Sequence, residues 1–252
     1  MKKKLLLLCM GLGFLVPLIA SAGDGVVSTN IVGYNKTKIP TSNSYTILSP
    51  NFVSVLSDDQ TFTLDRVTGN FSAWVDTIAF LSPNGRFSAP FVWYDAGDQG
   101  LNSKAGWYNG DDYYIGDTNL FAGTSVLITA MESVDIMVSG QVETEDIVIS
   151  LDKSGYYFIG NNTAVPLALE KITFTGLEGW VDTLALLYSN GKYSAPFVWY
   201  DAGDISVTSK AGWYDSLDNY VGASEILQPG QGVLLTTWAE GATITIPAPV
   251  IN

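Results

Sequence analysis

The sequence predicts an all-β fold: two tandem homologous β-sandwich or barrel domains following a cleaved signal peptide. Three observations carry this. First, Trp74-Val75-Asp76-Thr77 recurs as Trp180-Val181-Asp182-Thr183, an offset of 180 − 74 = 106, and 25 of the 35 positions from Trp74 to Tyr108 are identical to their counterparts. Such self-similarity at a fixed period marks a repeated structural unit. Second, the chain alternates short β-branched and aromatic runs with Gly, Asn, Asp and Pro, the pattern of many short strands joined by turns. Third, Asn84-Gly85 and Asn190-Gly191 stand at equivalent places in the two copies and signal type I′ hairpins, because Asn-Gly tolerates positive φ.

The elements follow in order. Lys2, Lys3 and Lys4 precede an apolar run from Leu5 to Ile19, and Ala20-Ser21-Ala22 supplies small residues for cleavage. Residues 1–22 are therefore expected to be a signal peptide and the mature chain to begin at Gly23. Cys9 follows Leu8, where a lipoprotein signal needs a small residue, so lipidation is not expected. The first β domain is assigned to residues 23–142 and the second to 143–252. Strands are expected at Tyr45–Leu48, Thr61–Leu64, Ile78–Leu81, Phe91–Tyr94, Gly106–Tyr108, Tyr113–Ile115, Ser125–Thr129 and Val134–Val138. The second copy has equivalents, Leu184–Tyr188 among them, ending with Thr243–Ile246. Trp74–Leu81 also has spacing that suits a short helix.

Composition restricts the chemistry. Signal cleavage leaves 12 − 3 = 9 basic against 25 acidic residues, a mature charge of 9 − 25 = −16. A field of that sign repels nucleic acid, anionic lipid and acidic polysaccharide. No nucleic-acid partner and no membrane span after cleavage are expected. An outer-membrane barrel fits poorly with strands this short and Gly-rich. The chain has no histidine, and its one cysteine lies in the signal segment. Ser-His-Asp triads, Cys-His pairs and His-bound zinc are excluded, which leaves carboxylates, Lys, Tyr, Ser or an oxygen-held metal as possible catalysts. Catalytic residues are expected to be none.

The duplicated block holds the candidate site residues. In Phe91-Val92-Trp93-Tyr94, Phe91 and Trp93 share one face of a strand, and Val92 and Tyr94 the other. Both faces are apolar, so either both are covered, by the second copy for example, or one aromatic set stands in solvent. Exposed rings would form a platform for the apolar face of a sugar, made by Trp93, Tyr94, Trp107 and Tyr108 and by their equivalents Trp199, Tyr200, Trp213 and Tyr214. The alternative is a Trp-rich core or inter-domain seam, which a chain without disulfides needs in any case.

Asp95-Ala96-Gly97-Asp98 and Asp201-Ala202-Gly203-Asp204 place two carboxylates across a glycine, a spacing able to fold around calcium. Asp76, Asp111 and Asp112, with Asp182, Asp215 and Asp218, could add oxygens. The simpler reading is turn chemistry, with Asp bonding its own backbone. Lys104 and Lys210, six residues past the second Asp of each loop, suggest local ion pairs.

Asn30-Ile31-Val32-Gly33-Tyr34, then Pro40 and Tyr45-Thr46-Ile47-Leu48-Ser49-Pro50, resemble the start of a group of uncharacterised secreted bacterial β-repeat proteins with an NxVGY-type motif. Pro229-Gly230-Gln231-Gly232-Val233-Leu234-Leu235 is similar to a stretch that the group repeats. The resemblance implies secreted, periplasmic or cell-surface residence and carries no activity. The expected function is that of a non-catalytic structural or adhesive surface protein, with neutral polysaccharide or another surface protein as partner. The alternatives are a carbohydrate-binding protein using the duplicated Trp, Tyr and Asp segments, and a carboxylate-pair hydrolase.

Overall fold

Short runs in which β-branched and aromatic residues alternate with polar ones form twenty strands and two single-turn 3-10 segments among the described residues. A computed structural model describes residues 32–40, 43–52, 61–98, 104–121, 123–204 and 210–249. The signal segment, the cleavage site at Gly23 and the Asn30-Ile31 end of the NxVGY motif lie outside them.

In the first copy, β1 (Val32–Ile39), β10 (Val134–Gln141) and β4 (Val67–Gly69) make a three-stranded sheet in the order β1-β10-β4. A five-stranded sheet follows the order β2-β9-β5-β6-β7, from β2 (Ser44–Leu48), β9 (Val126–Ala130), β5 (Thr77–Ala79), β6 (Phe91–Tyr94) and β7 (Gly106–Tyr108). A ribbon of β3 (Thr61–Thr63) and β8 (Asn119–Phe121) completes the set. All pairs are antiparallel.

The second copy repeats the topology. Its sheets are β11 (Ile147–Leu151), β20 (Ala242–Ile246) and β14 (Thr173–Thr175); then β12 (Gly155–Gly160), β19 (Gly232–Thr237), β15 (Thr183–Ala185), β16 (Phe197–Tyr200) and β17 (Gly212–Tyr214). Its ribbon is β13 (Leu167–Ala168) with β18 (Ile226–Leu227).

The chain passes from the five-stranded to the three-stranded sheet between β9 and β10, so the two sheets bury their inner faces on one core. Val134, Ile136 and Val138 of β10 meet Ile78, Val126 and Ile128 of the other sheet there, with Phe62, Leu64 and Leu120 from the ribbon side. Strict alternation along β10 makes this possible, since every second side chain points inward. The first core ends at Val142, and the second begins at Ile147.

The Asn-Gly hairpins form, but not as type I′ turns. Among the described residues Gly85 and Gly191 have φ of 78°, whereas Asn84 and Asn190 are not in the positive-φ region. Gly85 N–H donates to Ser82 O at 2.9 Å, and Ser82 N–H to Arg86 O at 2.9 Å. This is a short turn closed by a left-handed glycine, favoured by Pro83 and its fixed φ. Trp74–Leu81 forms no helix: its carboxylate Asp76 is tied to a neighbouring strand, and β5 begins at Thr77. Tyr113–Ile115 makes only the single bridge Tyr108↔Tyr114.

The two copies join about a pseudo-twofold relation. Tyr45 N–H donates to Ser189 O and Tyr156 N–H to Pro83 O, both at 3.0 Å, so each hairpin docks on the β2-type edge of the other copy. A Cβ on Gly85 would lie 3.1 Å from the Tyr156 ring, and one on Gly191 2.9 Å from the Tyr45 ring. Glycine is required there for close approach as well as for φ.

Candidate functional site

The long aromatic strand is covered on both faces, and by its own copy. On the inner face Trp93 pairs with Trp107 across β6 and β7, ring centroids 5.1 Å apart, with Phe71 against both. Trp199, Trp213 and Phe174 repeat this in the second copy. Trp107 and Trp213 are essentially without solvent contact. Burial of each removes on the order of 200 Å² from water, about 5 kcal/mol of transfer free energy.

On the outer face a column of rings runs Tyr114, Tyr108, Tyr94, Trp74, with successive centroids 5.5, 5.0 and 4.7 Å apart. The second column runs Tyr220, Tyr214, Tyr200, Trp180, at 5.4, 5.1 and 4.6 Å. Lysine caps the tyrosine end: Lys104 Nζ lies 4.8 Å from the Tyr114 centroid and Lys210 Nζ 4.3 Å from that of Tyr220. The inner hydroxyls are satisfied. Tyr94 and Tyr200 donate to Asp112 and Asp218, Tyr108 and Tyr214 to the carbonyls of Lys104 and Lys210. Burial pushes the Tyr200 phenol above its ordinary pKa, and the hydrogen bond and negative charge of Asp218 add to that.

The burial of the eight aromatic residues named for a sugar platform or a core is uneven. Trp93, Tyr94, Trp107, Tyr108, Tyr200, Trp213 and Tyr214 are buried and Trp199 is partly buried. The seven buried side chains present little ring surface to solvent, and Trp199 presents part of its own. The exposed end of each column is instead Trp74, 52% exposed, and Trp180, 56% exposed. In the sequence the Trp-Val-Asp-Thr motif marks the repeat and supplies Asp76 and Asp182 as candidate calcium oxygens, and its tryptophans are not among the candidate site residues.

Both tryptophans occupy strained backbone, with φ of 72° at Trp74 and 70° at Trp180. A bulky residue in the left-handed region costs on the order of 1–2 kcal/mol and persists only where its surroundings enforce it. The enforcement is visible. Trp74 N–H donates to Trp93 O and Trp93 N–H to Asp76 O, so Trp74 and Val75 bulge outward between two bonds to one residue of β6. Asp76, wholly buried, accepts Ser72 N–H at 2.7 Å and Met131 N–H at 2.8 Å. Asp182, equally buried, accepts Glu178 N–H, Trp238 N–H and the Thr237 hydroxyl. Trp238 is 67% exposed. The second copy thus carries two solvent-facing tryptophans whose backbones are tied through Asp182, where the first has Trp74 and Met131.

The Asp-Gly loops are built as turns. Asp98 accepts the amide of Asp95, and Asp95 the indole N–H of Trp93; Asp204, Asp201 and Trp199 match them. Asp215 accepts the amides of Leu217 and Asn219, and the latter hydrogen bond leads in holding its carboxyl below the usual range. Among the described residues no group of three or more His, Cys, Asp or Glu is arranged to hold a metal ion. Lys210 does not pair with its Asp loop: it binds Glu170 Oε2 at 2.9 Å. Comparison with protein-family models, with curated proteins and with solved structures finds no match to this chain.

Proposed function

We propose that the protein is a non-catalytic adhesive surface protein that binds neutral polysaccharide through Trp74 and Trp180. The observation that carries the proposal is a bulky residue held half-exposed in left-handed backbone by a wholly buried carboxylate, in both copies. A fold that sought only stability would place glycine there. Fixed indole faces stack on the apolar face of a pyranose without losing side-chain entropy on binding. A strongly acidic chain disfavours anionic polymers. Two equivalent faces on one chain gain avidity on a repeating ligand, each of them weak.

Affinity electrophoresis through gels containing soluble neutral polysaccharides (glucan, xylan, mannan) tests this. Retardation is expected for the wild type. Trp74→Ala or Trp180→Ala should each weaken it more than twofold, and Trp74→Ala/Trp180→Ala should abolish it. Equal retardation of the double variant, or no retardation of the wild type in any gel, overturns the proposal.

A further inference from the structure

The pseudo-twofold junction of the copies contains two related clefts that have diverged. One, of about 450 Å³, lies beneath the β2 edge and is lined by Asn35, Thr37, Thr46, Ile47, Leu187 and Gln231 among others. The other, of about 200 Å³, lies beneath the equivalent edge of β12, with Leu81, Thr124, Ile149, Tyr157 and Phe158 in its walls.

Strand register fixes the correspondence. Thr37 faces Ile136 as Ile149 faces Ile244, and Thr46 faces Ile128 as Tyr157 faces Leu235. By the same register Asn35 corresponds to Ile147, a member of the second core. One cleft is therefore narrowed by Ile149 and Tyr157, whereas the other carries two threonines at those places and is wider. The difference lies in the side chains, since the backbone pairing is shared.

Asn35 and Thr37 alternate with the exposed Tyr34, Lys36 and Lys38, on the same face of β1 as the buried Ile39. Polar residues at inward positions cost stability unless they are used, and the second copy shows that this fold accepts isoleucine at both. Asn35 has a structural use: its amide donates to Pro229 O at 2.8 Å, fixing the turn that forms one wall. Gln231 Oε1 accepts Gln228 N–H, which orients its NH₂ group as a donor. Gln231 shares the lining with Thr37 and Thr46 and with the apolar Ile47 and Leu187. The only charged side chain in the lining, Lys36, is paired with Asp135 at 2.8 Å. The volume lies within the roughly 300–1,000 Å³ of small-ligand sites.

We infer that this cleft is a single-copy binding site for a short neutral saccharide, separate from the tryptophan faces. Apolar surface beside uncharged donors and acceptors matches a ligand with one C–H face and many hydroxyls, and the one charged side chain in the lining already has a carboxylate partner. The inference uses neither Trp74 nor Trp180 and does not depend on their role.

Isothermal titration with neutral di- to tetrasaccharides of glucose, xylose, mannose and N-acetylglucosamine tests it. At least one should bind the wild type. Thr37→Ile/Thr46→Tyr, which installs the residues of the narrower cleft, should weaken binding by at least about tenfold, and Trp74→Ala/Trp180→Ala should leave it unchanged. Thr46→Val removes the hydroxyl at nearly constant volume and should also weaken binding, so the test survives if the double variant fails to fold. No binding by the wild type, undiminished binding by folded Thr37→Ile/Thr46→Tyr or by Thr46→Val, or loss of binding in Trp74→Ala/Trp180→Ala overturns the inference.

Discussion

The carboxylate of Asp182 accepts the amide proton of Trp238 at 2.7 Å, and in doing so ties the end of a core strand to the bulge that presents Trp180. Asp76 does the same with Met131. Each carboxylate is itself wholly buried and accepts backbone N–H groups from both the bulge and the strand end beside it. Asp182→Ala strands those donors and should cost about 3 kcal/mol or more, whereas an exposed substitution such as Glu240→Ala should change stability by less than about 0.5 kcal/mol. Urea denaturation measures both.

The strain at Trp74 yields a second prediction. Alanine and glycine both remove the indole and its contact with Tyr94, but only glycine adopts φ near 72° without steric cost. Trp74→Gly should therefore be more stable than Trp74→Ala by about 1 kcal/mol, and the same order should hold at Trp180. Equal stabilities would mean that the bulge relaxes and that the tryptophan is not held under strain.

Docking of the copies rests on glycines that admit an aromatic ring. Gly191→Ala adds a Cβ 2.9 Å from Tyr45 and at a φ of 78°. The loss should be about 1–3 kcal/mol. The junction also takes the backbone bond from Tyr45 to Ser189 with it. Unfolding is expected as a single transition in the wild type and should separate into two in Gly85→Ala/Gly191→Ala, one for each core. Calorimetry resolves the two cases.

Much of this was legible in the sequence. The repeat offset, the strands at Phe91–Tyr94 and Gly106–Tyr108, and the turn at Asn84-Gly85 follow from local pattern, and the structure has them. Alternation also shows that Trp93 and Tyr94 face opposite ways. It does not show what lies beyond each face: Trp93 meets Phe71 and Tyr94 meets Trp74, contacts made across loops of variable path. Nor does an isolated Trp-Val-Asp-Thr reveal a bulge, because the positive φ of Trp74 depends on bonds to Trp93, seventeen to nineteen residues away in sequence counting from Asp76 and Trp74. The one available signal was the pairing of a bulky residue with an invariantly duplicated Asp two positions on. The clefts were hidden for a different reason, since Thr37 and Ile149 correspond only once strand register is known.

Alkaline pH should destabilise the protein. Burial raises the phenol pKa of Tyr114, Tyr157, Tyr193 and Tyr200 above the ordinary value of 10.0. A folded pKa above the unfolded one means that the folded state holds its proton more tightly. The resulting stability is fully present below about pH 10 and is lost as pH rises through the folded values. Thermal melts should thus be flat in this respect from neutrality to about pH 9 and fall above pH 10. Tyr200→Phe should shallow the fall, and a profile unchanged by that substitution would show that Tyr200 does not contribute to it.

Calcium should leave the melting temperature unchanged. A cation bound only by the folded state raises apparent stability by mass action, so millimolar calcium against chelator gives a direct comparison. The oxygens that would have to turn toward a cation already hold the fold: Asp98 Oδ2 accepts the Asp95 amide at 2.8 Å, and Asp95 Oδ1 accepts the Trp93 indole N–H at 3.2 Å. Recruiting them would break the turn and release a core tryptophan, while the gain from two carboxylates falls short of the six to eight oxygens that calcium takes. An upward shift with calcium would require Asp95 and Asp98, or Asp201 and Asp204, to rearrange, and Asp98→Asn would then abolish the shift.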